Sequence, residues 1–149
     1  MSDDAYILEL KLPGLKGKRF TVTSPRTPSY NCIAWAAGES FRPWWPLPYA
    51  EINNPPYYWP ETSQDESLED FISGFGKIGY ECCDNGEWED GYEKVAMYVQ
   101  DGEVTHMARQ ENSGRWTSKC GNLQDIEHSS PDALCDQYGE IACFMKRKM

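Results

Sequence analysis

Apolar and polar positions divide the chain into segments of different kinds. Residues 6–12, YILELKL, alternate apolar and polar side chains, which predicts a strand ended by Pro13-Gly14. A short strand over residues 18–22 follows, and residues 23–29, with two prolines, read as a loop. Residues 30–37, YNCIAWAA, form a run of small and apolar side chains that reads as a short, mostly buried helix. Asn31 or Ser29 can serve as its N-cap, and Gly38 sits at or beyond its C-terminus. Between Ser63 and Ile78, Leu68, Phe71, Ile72 and Phe75 recur at helical spacing. Acids lie in the first turns and Gly79 follows, so a second helix is predicted there.

Strand patterns dominate the rest. Residues 79–83 make a short strand, and residues 92–100, YEKVAMYVQ, alternate up to Asp101-Gly102, a strong hairpin signal. Residues 103–110 return, 112–114 turn and 115–120 form the next strand. Residues 131–138 read as a helix with Pro131 near its start, and 140–145 as a last, edge strand before a solvated KRK tail. These elements predict one α+β domain over residues 1–149, with helices packed on an antiparallel meander.

Residues 41–60, FRPWWPLPYAEINNPPYYWP, hold six prolines and seven aromatics. That proline density excludes a helix and a central strand, and that aromatic content argues against disorder. The segment reads as an ordered wrap. Its aromatics either cover the core or form a groove wall, in which Trp44, Trp45, Tyr57, Tyr58 and Trp59 would stack a sugar or grip a peptide side chain, with Asn31 nearby.

Composition narrows the classes. A chain of 149 residues, 40% hydrophobic and 13% aromatic, buries enough core to fold without a metal or disulfide staple. The net charge of −10 argues against nucleic-acid and anionic-membrane partners, both of which require a basic surface. No stretch approaches a membrane span, and MSDDAYILELKLPG lacks the features of a signal peptide, so a cytoplasmic protein is expected. The acids concentrate in residues 81–103, with eight against one base, Lys94. That stretch reads as a solvated face or as a surface for a basic partner.

The six cysteines show no C-x-x-C spacing, and His106 and His128 lie far apart, so no metal site is expected. Glycine-rich phosphate loops are absent and no cofactor is expected. Most of the thiols should be reduced, small apolar residues. Cys32 differs, because it falls at the first or third position of the predicted helix, where unsatisfied backbone N–H groups lower a thiol pKa and can bind an oxyanion. The plainer possibility is a cysteine buried beside Ile33, Ala34 and Trp35. His106 is the natural base, since alternation places Val104, His106 and Ala108 on one face of their strand. His128, in DIEHSSPD, competes from what reads as a loop.

A helix-borne Cys followed by an antiparallel sheet bearing His, over residues 28–120, resembles the papain-like cysteine hydrolase superfamily, including its NlpC-type branch. The run YNCIAWAAGES, WWP, YWP, GYEKVAMYVQDGEVTHMARQ, GRWTSK, DIEH and YG also resembles an uncharacterised group of bacterial proteins. The papain-like resemblance implies a nucleophilic Cys32, a proton-shuttling His106, and Ser118, Asn122 or Asp125 to orient the imidazole. Gln110 and His128 are further candidates for that third position. In the NlpC register the base position falls near Lys94 and His106 takes the orienting place, which implies lost or altered chemistry. The expected activity is hydrolysis or acyl transfer at an amide, peptide or isopeptide bond of a protein or peptide. The alternative is an inactive papain-like domain that binds a protein, as an immunity or adaptor module, through its acidic face. Glycan or other ligand binding at the aromatic wrap is a third expectation.

Overall fold

The computed structural model describes residues 3–25, 27, 29–46, 58–60, 67–120, 123–128 and 130–149. Helix α1 spans Asp3–Lys11, a 3-10 turn Pro13–Leu15, strand β1 Phe20–Val22, α2 Cys32–Ala37 and α3 Leu68–Lys77. Strands β2 Glu81–Cys83, β3 Tyr92–Gln100, β4 Glu103–Gln110, β5 Trp116–Lys119 and β6 Asp125–His128 follow. The turn Pro131–Leu134, helix α4 Cys135–Tyr138 and strand β7 Glu140–Lys148 complete the order. The strands form one sheet in the order β1-β6-β5-β4-β3-β7-β2, and every pairing is antiparallel.

Alternation along β3 shows the two faces of this sheet. Val95 and Met97 join a core cluster with Ile33 of α2 and Phe71 and Phe75 of α3. Ala96 and Tyr98 join a second cluster with Leu8 of α1, Leu15 and Leu134. With both faces covered, residues 94–98 are buried without interruption. The β3–β4 turn is as its sequence predicts, since Asp101 and Gly102 both adopt positive φ, 53° and 83°.

Three elements differ from the sequence reading. Residues 6–11 belong to helix α1 rather than to a strand, and Leu12 follows it. Over seven residues the alternating Leu8, Leu10 and Leu12 cannot be told from a helical i, i+4 pair, and Leu8 and Leu12 are the ones that pack inward while Tyr6 and Leu10 remain exposed. Strand β7 is no edge strand. It lies between β3 and β2 and continues through the basic tail, because the charges there are satisfied: Lys146 binds Glu89 at 3.0 Å, and Arg147 pairs with Glu93 and donates to the Ile78 carbonyl at 2.9 Å. The DIEH segment is strand β6, hydrogen-bonded on both sides.

The described part of the aromatic wrap covers the core. Trp44 bridges to Tyr58, and Trp44 and Trp59 bury their rings against Phe71 and Phe75. Trp45 stands edge-on to Phe71 at 5.4 Å between ring centroids. Tyr57 lies outside the described residues. This packing leaves no room at Gly74 of α3, where an added Cβ would sit 2.2 Å from Trp59 Cζ2. Gly74→Ala is therefore expected to lower stability by about 1–3 kcal/mol despite the better helix propensity of alanine, read as a lower urea midpoint. An unchanged or raised midpoint would contradict this packing.

Candidate functional site

Helix α2 begins as the sequence suggests. Asn31 is the N-cap, and its Oδ1 accepts the Ala34 amide at 3.0 Å. The same oxygen accepts the Trp44 amide at 3.0 Å, and Nδ2 donates to the Trp44 carbonyl at 2.8 Å. Asn31 thus fixes the helix start and the wrap together. Arg109 of β4 holds the other end of α2, donating to the Trp35 carbonyl at 3.0 Å with its guanidinium 3.8 Å from the Trp35 ring centre. Trp35 in turn donates to Thr117 Oγ1 of β5 at 3.0 Å.

Cys32 is the first residue of α2, 7% exposed and directed into the core. Burial pushes its thiol up to about 11, although the Met107, Cys32 and Ile33 amides and the Lys119 charge all act in the opposite direction. The helix-start amides favour a thiolate as expected, but desolvation outweighs them and the sulfur stays protonated at neutral pH.

Of its polar surroundings only Asp125 was singled out from the sequence, and for a place beside His106. Lys119 is fully buried, and its Nζ donates to the Thr27 carbonyl at 2.8 Å and to the Leu123 carbonyl. Tyr30 donates its hydroxyl to Asp125 Oδ2 at 2.7 Å, and the Lys119 ammonium stands 5.1 Å from the Tyr30 ring centre. Lys119 and Asp125 are register partners across β5 and β6. Burial lowers the Lys119 pKa, and the Asp125 charge opposes that shift. Asp125 Oδ1 is buried without a hydrogen-bond partner. Strand alternation in WTSK puts Thr117 and Lys119 on one face, and this is the signal that could have flagged the lysine.

His106 lies in the other cluster. Its ring stacks on Tyr138 of α4 at 3.9 Å between centroids and meets Tyr98 edge-on. Both ring nitrogens are buried without a hydrogen-bond partner, so the expected hydrogen bond to Cys32 is not made. Burial, with a contribution from His128, lowers the imidazole to about 3. A bulge adds to the rearrangement: Tyr98 pairs with His106 but Val99 with Val104, which leaves Thr105 over. Val104 therefore joins Met107 in the α2-facing cluster, while His106 remains with Ala108 on the opposite face.

Ser118 is not beside His106 Nδ1 or Nε2; its hydroxyl lies 2.9 Å from His128 Nε2. His128 Nδ1 lies 2.9 Å from the Ser130 carbonyl, which can only accept. That puts the proton on Nδ1 and leaves Nε2 to accept from Ser118. Ser118 is fully buried and His128 is 1% exposed, so this pair is sealed from substrate. Asn122 lies outside the described residues. Asp125 is held by Tyr30 and stands in register with Lys119, and makes no hydrogen bond to His106. Lys94 and Gln110 both hold the 84–91 loop, through the Asn85 carbonyl at 3.1 Å and the Gly86 carbonyl at 3.1 Å.

The arrangement thus brings together Cys32, Tyr30, Lys119 and Asp125, and separately His106 with Tyr138 and Ser118 with His128. Neither group contains a thiolate–imidazolium pair. An open cleft lies elsewhere, at the β2 edge, lined in part by Glu81, Cys82, Asp84, Lys94 and Lys146. Among the described residues no three His, Cys, Asp or Glu side chains are placed to hold a metal ion. No described helix is long and apolar enough to cross a membrane.

No curated protein and no solved structure matches the chain. One family model does, over residues 21–146, which takes in every strand from β2 to β6, all but the first residue of β1, the Cys32 helix and most of β7. The chain belongs to the family that this model defines, a domain of unknown function, DUF7689.

Proposed function

We propose that this chain is a papain-like domain without working cysteine chemistry, which binds a basic protein partner through its acidic face as an immunity or adaptor module would. The observation that carries this reading is the state of Cys32: buried, protonated and without an imidazole partner. The competing reading, a Cys32–His106 hydrolase or acyltransferase, needs the pair that these two residues do not form.

The acidic loop between β2 and β3 supplies the contact. Asp84, Glu87 and Asp90 are exposed there, and Trp88 stands among them at 48% exposure. A tryptophan rimmed by like charges suits the centre of an interface, where aromatic anchors are enriched and the rim steers a partner of opposite charge. Lys94 and Gln110 pin the loop from beneath, so it is presented in a fixed shape at little ordering cost.

The test compares three proteins: wild type, Cys32→Ala and a loop variant carrying Trp88→Ala with Asp84, Glu87 and Asp90 reversed to Lys. Partners cross-linked in the native extract are identified, purified and titrated against each. Binding should survive Cys32→Ala, weaken as salt rises and fall at least tenfold in the loop variant. Iodoacetamide should label exposed Cys82 well before Cys32. Turnover of an amide or peptide substrate that Cys32→Ala abolishes would overturn the proposal and restore the hydrolase.

A further inference from the structure

Thiols also gather at the β2 edge of the sheet, far in sequence from Cys32. Cys82 and Cys83 lie on β2, and Cys143 on the neighbouring β7. Cys82 is in register with Met145, which makes Cys143 its diagonal neighbour, and the two sulfurs are 3.7 Å apart. Cys83 points the other way, as alternation requires, and its thiol donates to the Asn85 carbonyl at 3.4 Å. Cys82 is exposed and Cys143 is half-buried. One accessible sulfur therefore touches one sheltered sulfur across two hydrogen-bonded strands.

We propose that Cys82 and Cys143 are a reversible disulfide site, oxidised by exchange with a low-molecular-weight disulfide of the glutathione class. Bond formation requires the sulfurs to close from 3.7 Å to about 2.05 Å, and β2, a three-residue strand at the end of the sheet among the described residues, can yield that distance. The site goes beyond the partner-binding reading and does not depend on it.

Cys82 acts first because it is the exposed member. Its thiolate attacks one sulfur of the reagent, the reagent's S–S bond breaks, and one thiolate leaves to take up the Cys82 proton from solvent. Cys143 then attacks the Cys82 sulfur of the mixed disulfide. The second reagent thiolate departs and gains the Cys143 proton. Two protein thiols have become one disulfide, and one reagent disulfide has become two thiols, with two electrons passing to the reagent. The Cys143 thiol is pushed up, chiefly by burial and then by Cys82 itself, so the exposed Cys82 is the member that meets the reagent first. That ordering favours ring closure over a second adduct. The bridge would span 61 positions and tie the edge strand, and α3 leading into it, to the sheet.

The test uses the full native chain incubated with oxidised and reduced glutathione in graded ratios, then acid-quenched, alkylated and peptide-mapped. The expected product is a Cys82–Cys143 linked peptide pair, two hydrogens lighter, with titratable thiols falling from six to four. It should revert in excess reduced glutathione. Cys143→Ser should trap glutathione on Cys82, whereas Cys83→Ser should leave the bridge intact. A wild-type chain that stops at glutathione adducts, links Cys82 to Cys83 or keeps all its thiols overturns the proposal, and these wild-type readouts do not depend on either variant folding.

Discussion

Lowering the pH from 7 to 5 is expected to cost the fold about 2 kcal/mol through His106 alone. In the unfolded chain this imidazole titrates near 6.5, and in the folded chain burial holds it to about 3. Between those values the unfolded state binds the extra proton. Stability is therefore full above about 6.5 and is lost progressively as pH falls toward 3. His128, also lowered by burial, acts with the same sign. Glu39, whose carboxyl is held low first by Arg42, loses its contribution only at more acid pH and does not mask the effect. Urea midpoints at pH 7 and 5 measure it. His106→Phe keeps an aromatic ring against Tyr138 and removes the titration, so the difference between the two midpoints should shrink markedly. An undiminished difference would mean that His106 is not the group that resists protonation.

Asp125→Ala is expected to destabilise the chain by about 3 kcal/mol at pH 7. The carboxylate accepts the Tyr30 hydroxyl and faces the buried Lys119 from the next strand. Its removal leaves a hydroxyl unpaired and an ammonium in the core without the neighbouring negative charge. Adding Lys119→Met to Asp125→Ala should recover a large part of that loss, because an apolar chain of similar shape then replaces an ammonium that has lost the Asp125 charge. The four urea midpoints of this double-mutant cycle report the coupling. A cost below 1 kcal/mol, or strict additivity, would show that Asp125 and Lys119 do not act together.

How far the sequence could be read depends on the range of each interaction. Helix α3 was legible because Leu68, Phe71, Ile72 and Phe75 repeat over about two turns. The β3–β4 hairpin was legible because Asp101-Gly102 has a local preference for the backbone it adopts. Asn31 at the start of α2 belongs to the same local class. Helix α1 was not, since seven residues hold too few periods to separate two from 3.6. The site was harder still. Alternation sorted β4 into two faces, but only long-range packing decides which face α2 covers, and it covers that of Met107 and Arg109, not that of His106. The bulge at Thr105 has no local signature in EVTHMARQ. Burial of Cys32 arises with Met107 of β4, 75 positions away, so its thiol could be placed from sequence but its protonation could not.

The position of β7 also governs the order in which this sheet can assemble. The β3–β4 hairpin closes over two residues and needs nothing else to begin. β2 precedes that hairpin in the chain, yet its partner is β7, the last strand to emerge. Until β7 arrives, β2 has no strand to pair with, and the open side of β3 presents a row of unpaired amides and carbonyls. The nascent chain therefore carries β3 with one side unpaired until β7 is made, and that nine-residue strand covers it on one side while gaining β2 on the other.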